Sequence, residues 1–352
     1  MVRIVRNRAI IDQKRSQFRL GKGILLAALC LLPFITEAQT TTAKMDLQGN
    51  ISKLSTYKHV VKNIVIENNT VVSYEKVRWL EQSEYLFDKK GLLLAKNEIN
   101  DMGVITLSYI YEYNELGKLV EETLAASGQY LQGRTEYKYD KKGNKIKKLV
   151  YDDRDSLKTT TVYQYDSLGN LVSEKMYNKI NFLVTDIGYQ HDERGNIIFV
   201  NSVKVPIIAK PPYQEVMKFD DKNHLIYKSF TERDTLKWEY FASYTKKDSL
   251  MYEEVKDRTG KLLSASRLTF NRKNKRIALE QYNQSAGVSL ATHYQYDKKG
   301  KLLTEKIFMP NRTEPLAIRT FFYDEKGNWI YCIEEDKVKH ENSIYYRKFN
   351  YY

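Results

Sequence analysis

A backbone reversal written ten times over constrains this chain more than any other feature. The phrase reads "EYKYDKKGNKIKKLVY" from Glu136, "VYQYDSLGNLVSEKMY" from Val162 and "HYQYDKKGKLLTEKIF" from His293. With the first aromatic of Tyr-x-Tyr-Asp as position zero, units start at Tyr85, Tyr111, Tyr137, Tyr163, Tyr189, Met217, Ala242, Leu268, Tyr294 and Phe321. Six of the nine steps are 26 residues long. The step after Tyr189 is 28 and contains "KVPIIAKPPY", whose prolines interrupt strand pairing and predict an irregular excursion.

Reading down the units gives the turn chemistry. Position three is Asp at Asp88, Asp140, Asp166, Asp192, Asp220, Asp297 and Asp324, and otherwise Asn114, Thr245 or Asn271. All of these carry a side-chain oxygen that can cap a turn. Position six is Gly at Gly91, Gly117, Gly143, Gly169, Gly195, Gly300 and Gly327, and otherwise Asn223, Asp248 or Asn274. Asn and Asp tolerate positive φ best after Gly, so the site demands a left-handed backbone and not merely a small side chain. A type I turn followed by a left-handed bulge residue fits, and it closes a hairpin. Position two is aromatic or His and faces position eight, mostly Leu, Ile or Trp, across that hairpin.

A second turn signal, such as "NDMG" at Asn100, "DDRD" at Asp152, "NKIN" at Asn178 and "DRTG" at Asp257, splits each unit into two strands. The fold class is therefore all-β: a long antiparallel β-meander of two-strand repeats, twisted or curled into a superhelical or open-barrel-like sheet. About 20 strands at roughly 4.8 Å spacing make about 100 Å of sheet, too much to stay flat. Regular repeats run from residue 85. Residues 57–84 read as further β-structure, with Asn68-Asn69 closing a hairpin, so the repeat domain is expected over 57–352. Residues 39–56 read as a polar leader. One pattern stays open: position nine is apolar in every unit, although it falls on the face opposite position zero. Either that second face is partly covered, or the bulge shifts the register.

The first 38 residues carry the order of an export signal: seven basic side chains, the apolar run "ILLAALCLLPFI", then "TEA". Twelve apolar residues span about 18 Å as a helix, too short to cross a bilayer. Cleavage near Ala38 would lower the net charge from +13 to +8 and leave Cys332 as the lone cysteine. Stability must then come from packing and strand pairing instead of a disulfide. The expected location is outside the cytoplasm: periplasmic, outer-membrane-associated or extracellular, with no transmembrane span in the mature chain.

The phrases "YQYDSLGNL", "YKYDKKGNK", "YQYDKKGKL" and "FFYDEKGNWI" resemble the YD repeats of the RHS family and related repeats of secreted bacterial proteins. The resemblance covers residues 85 to 352. It implies a spiralling antiparallel sheet, often at the cell surface, sometimes forming a shell around a toxin and sometimes binding carbohydrate. The spacing here is longer than the family's, and Asn or Lys mostly replaces the Arg that follows its Gly. No effector segment or self-cleavage motif accompanies the repeats, so a complete toxin shell is not expected.

Several groupings invite a chemical reading. Tyr111, Tyr113, Tyr137, Tyr139, Tyr163, Tyr165, Tyr189, Tyr294, Tyr296 and Tyr323 form an aromatic ladder that could stack on sugar rings or another extended polymer. The same alternation also describes a simply buried face. Positions four and five hold thirteen basic and four acidic residues, a rim that could attract polyanions or merely discourage aggregation. The Asp ladder is replaced by Asn or Thr in three units, which favours turn capping over calcium, and no metal site is expected. His59, His191, His224, His293 and His340 are scattered. Adjacent pairs such as Glu121-Glu122 point to opposite faces of a strand, so neither forms a catalytic dyad by itself. The expectation is a non-enzymatic exported scaffold without cofactor, binding a glycan or envelope polymer. A protein partner or effector-carrying shell fragment is the alternative, a carbohydrate-active enzyme is third, and no nucleic acid is expected.

Overall fold

The computed structural model describes residues 41–68, 70–127, 130–205, 211–284, 287–310 and 312–352. The export-signal reading lies outside the described residues. No helix among them is long and apolar enough to cross a membrane. The described residues form 22 strands, from β1 (Ile51–Glu67) and β2 (Thr70–Phe87) through β22 (Glu341–Tyr351). Every strand pairs antiparallel with its neighbours in sequence, and β22 returns to β1 over ten register pairs from Ile51↔Tyr351 to Val61↔Asn342. The meander is therefore a closed barrel.

The first turn of every unit, and the second turns at Asn100, Asp152, Asn178 and Asp257, use one chemistry. At the first, the Lys142 and Asn144 N–H groups donate to Asp140 Oδ1 at 2.9 and 2.8 Å, and Gly143 has φ 85°. At the second, Arg154 and Ser156 donate to Asp152 Oδ1 at 3.0 and 2.9 Å, and Asp155 has φ 55°. All ten position-six residues are left-handed, from 59° at Asn274 to 97° at Gly327.

The position-nine question is settled by register. Tyr139 pairs with Lys145 and Lys138 with Lys147, so Ile146 is skipped. The same slip recurs in all ten units, for example at Leu94, Val172 and Ile330. A bulged residue has two opposed to one and reverses the alternation after it. Position ten therefore joins position one on one face, while position eleven joins position zero on the other.

Side chains converge on the concave face of a closed single-layer sheet and diverge on the convex one. Position zero lies on the crowded face: Tyr137, Tyr189 and Tyr294 are buried. Position one is exposed at Glu112, Lys138, Gln164, Gln190, Lys218, Thr269 and Gln295. The tyrosine face is thus inside. Twenty-two strands at ~4.8 Å give a perimeter of about 106 Å, or roughly 34 Å across if round, far more than side chains can fill. Substantial contacts of each strand are with its two ring neighbours. The interior is a lumen, not a packed core.

Dense apolar packing is confined to the seam. Leu47, Ile51, Leu54, Phe87 and Leu93 form one cluster. This places Leu47, Ile51 and Leu54, within the stretch read above as a polar leader, in the closure itself: a register slip at Ser52 brings Ile51 and Leu54 onto one buried face. A second cluster joins Val61 and Val71 to Phe322, Ile333 and Ile344. It exists because β1 and β2 outrun their neighbours. Pairing to β22 stops at Val61 and pairing to β3 (Leu93–Ile99) begins only at Gln82. The free ribbon bends at successive bulges and lies on the outer face of the last strands. Phe322, apolar where most units are polar, is the residue it covers.

Candidate functional site

The described ends of the 28-residue step flank a niche in the inside wall. β11 (Ile197–Lys204) ends as "KVPIIAKPPY" begins, and β12 (Tyr213–Phe219) starts at its last residue. Only four register pairs join them, from Phe199↔Val216 to Ser202↔Tyr213. Beside this short ladder lies a cavity of about 670 Å³ whose lining includes Glu174, Ser202, Lys204, Tyr213, Phe230 and Glu232.

Register pairs place its floor in one row. Glu174 faces Ile187, Ile187 faces Ser202, Ser202 faces Tyr213, and Tyr213 faces Glu232. A carboxylate thus stands at each end of an apolar and hydroxyl-bearing track. Tyr213 packs on Phe230 with ring centroids 5.4 Å apart, and Phe230 stacks on Trp238 at 5.5 Å with planes 9° apart. Ser202 is fully buried, and its hydroxyl has no hydrogen-bond partner among the described residues. Burial pushes the Tyr213 phenol up, with the Ser202 hydroxyl acting the other way. Glu215, also buried, meets Lys228 Nζ at 2.9 Å.

The niche offers ring faces, a hydroxyl and acceptor oxygens, which suits binding a polyhydroxylated chain. Glu174 and Glu232 stand four strand spacings apart, about 19 Å along the wall, whereas carboxylates that cleave glycosidic bonds stand roughly 5–9.5 Å apart.

The ladder tyrosines lie inside in two rows, and the hydroxyls of seven of them are engaged by the wall. Tyr113, Tyr139, Tyr165, Tyr296 and Tyr323 donate to the carbonyls of Leu93, Leu119, Lys145, Arg276 and Leu302, at 2.7 to 2.9 Å. Tyr244 does the same to Leu225 at 3.0 Å. Each acceptor is position eight of the preceding unit, next to the bulge that interrupts the ladder. At position zero, Tyr137 and Tyr189 reach Glu122 and Glu174 at 3.5 and 3.3 Å. Cations cover several rings: Lys145 lies over Tyr163 at 4.9 Å and Arg276 over Tyr294 at 4.5 Å. Tyr111 lies half-buried in the same row. Of the ladder, Tyr189 stands nearest the niche, through its bond to Glu174.

The turn residues sit where the phrase puts them. Asp88, Asp166, Asp192, Asp297 and Asp324 each accept from the backbone four residues on at 2.8 Å. Gly91, Gly169, Gly195, Gly300 and Gly327 supply the left-handed step. Basic rim residues staple adjacent turns: Arg194 donates to the Asp220 carbonyl at 3.0 Å and Lys247 to that of Arg272 at 2.9 Å. The tyrosine bonds and the niche escaped the sequence reading. Their only signals were the preference for Tyr over Phe at position two and the proline-rich step.

No protein family and no curated protein matches the chain. Among solved structures, TcdB2-TccC3-Cdc42 aligns over 84% of this chain and 16% of its own, at 14% identity and a TM-score of 0.47. TcdB2-TccC3 aligns over 80% of this chain and 21% of its own, at 8% identity and 0.28. A porin-like protein from Bacteroides uniformis aligns over 86% of this chain and 98% of its own, at 8% identity and 0.31. The chain spans less than a quarter of the first two, and all three scores are too low to carry a functional argument.

Proposed function

We propose that this protein is an exported, non-enzymatic β-repeat scaffold that holds a glycan or envelope polymer against the inside of its ring. The observation behind this reading is the row from Glu174 to Glu232, backed by the Tyr213–Phe230–Trp238 stack. Ring faces stack on the apolar faces of sugars, carboxylates accept from their hydroxyls, and contacts of this kind add up along a polymer. The ladder tyrosines extend the wall on either side and contribute ring edges. A screen of the full chain against immobilised glycans tests the reading. Binding to one glycan class is expected, weakened about tenfold by Phe230→Ala, with the chain length of the bound glycan unchanged on incubation. Binding that Phe230→Ala leaves intact, or no binding at all, contradicts it.

A protein partner is the second reading. The free ribbon exposes Val65, Ile66, Val72 and Val77 where β1 and β2 pair only with each other, leaving outer edges open to strand addition. Co-purification of one protein, lost on shortening the ribbon, would favour it.

A further inference from the structure

The inside of the seam carries a charge that the wall leaves unanswered. Arg347 of β22 faces the lumen, cross-strand from Thr56. Its guanidinium lies 3.6 Å over the Trp329 ring. Its Nε is sealed from solvent without a hydrogen-bond partner, and no carboxylate among the described residues pairs with it. Burial pulls Arg347 down to about 10, with only weak opposition from Tyr85, Cys332 and Asp46.

Arg319, on the same inside face, shows the contrast. Glu334 meets its Nε at 2.6 Å and Glu305 its Nη1 at 3.3 Å. Both acids are thereby committed. Lys58, cross-strand from Tyr345, lies 4.5 Å over that ring and has no ion pair either. Lys58, Arg319 and Arg347 thus share this stretch with Glu305 and Glu334, both taken by Arg319, and with Asp46, which acts on Arg347 through space without an ion pair among the described residues. An unpaired buried guanidinium is costly, because its hydration is lost and nothing replaces it. Its planar fork takes an oxyanion through two parallel hydrogen bonds, and a carboxylate is planar like the fork itself.

We propose that Arg347, backed by Trp329 and flanked by Lys58, is a carboxylate-binding site on the lumen wall, separate from the glycan niche. It rests on its own residues, so it stands or falls independently of that niche. A small carboxylate enters from the lumen, pairs with Nη1 and Nη2 and offsets the burial of the charge.

Titration of the full chain with D-glucuronate, read by tryptophan fluorescence and melting temperature, tests this. D-glucose serves as the uncharged match and inorganic phosphate as the tetrahedral oxyanion. The expected result is a saturable response to glucuronate, weaker with phosphate and absent with glucose. Arg347→Gln should abolish it, and Arg347→Lys, which keeps the charge and loses the fork, should weaken it about tenfold. Without ligand, Arg347→Gln should melt no lower than the parent, because it removes an unpaired buried charge. Lys58→Gln should also weaken the response, and carries the test if either Arg347 variant fails to fold. A response equal for glucose and glucuronate, or one unchanged by Arg347→Gln or by Lys58→Gln, overturns the proposal. So does no saturable response, which would leave a hydrated guanidinium only.

Discussion

A single side-chain oxygen organises the first reversal of each unit and, at Asp152, a second reversal, where it is a carboxylate's. Asp152 Oδ1 takes two backbone hydrogens, and Lys158 Nζ meets its other oxygen at 2.8 Å. Lys158 foremost, then the turn N–H groups, hold its carboxyl down to about 2, and Asp140, Asp166, Asp192, Asp220 and Asp257 are also lowered. A carboxyl depressed from an unfolded value of about 3.9 stabilises the fold fully above that value. The contribution is lost as pH falls toward 2. Acid titration followed by circular dichroism should therefore show stability declining between about pH 4 and 2, with a shallower decline in Asp152→Asn. Tyrosine gives the opposite limb. Burial first, then Glu122, raises Tyr111 to about 12, so its contribution is present below about 10 and lost as pH climbs toward 12. At position six, Gly143→Val should cost about 1–2 kcal/mol in urea unfolding, and Gly143→Asn much less, since Asn223 and Asn274 already hold that torsion. The left-handed torsion was legible because different residue types sharing one property replaced Gly. The tyrosine bonds were not, because each acceptor is a backbone carbonyl about twenty residues back and carries no side-chain signature. Tyr165→Phe should cost about 1 kcal/mol by removing its 2.9 Å bond to the Lys145 carbonyl.

Strand pairs explain what composition left ambiguous. The apolar residue at position nine belongs to a bulge, so it reports a register slip instead of a second buried face. That distinction is invisible in a hydrophobic pattern, which records alternation but not which residue is skipped. The ribbon of β1 and β2 was half legible: its β-character and its turn at Asn68 read correctly, but nothing in it announces a docking site 250 residues away. The clue sat at the other end, in Phe322 where most units place a polar residue. Val71 and Ile333 share the cluster beneath the ribbon and are each buried. Replacing either by Ala should cost about 1–3 kcal/mol, and a double-mutant cycle should return a coupling of roughly 0.5 kcal/mol or more. Additive losses would mean that the ribbon does not lie on the wall.

At the scale of the molecule, a repeat that cannot bury its own face has two outcomes: stack indefinitely or close. The strand number and meander order were readable from spacing alone, as was the need to curl. Closure was not, because β22 meets β1 through backbone hydrogen bonds that any sequence can make. What the chain does supply is a seam with its own apolar cluster, Leu47, Ile51, Leu54, Phe87 and Leu93, where the rest of the ring has little. Closure also makes the inside wall a lumen, and both the niche and the Arg347 site depend on it. Lys53 and Asn350 are register partners across the seam, on its outer face. In a Cys30→Ser background, Lys53→Cys with Asn350→Cys should oxidise to an intramolecular disulfide, visible as a reducible shift in gel mobility at dilute protein; the buried Cys332 stays out of the exchange, its thiol pushed up to about 12 by burial. In an open sheet the two positions would stand about 100 Å apart, so two free thiols and no such shift would contradict the closed ring.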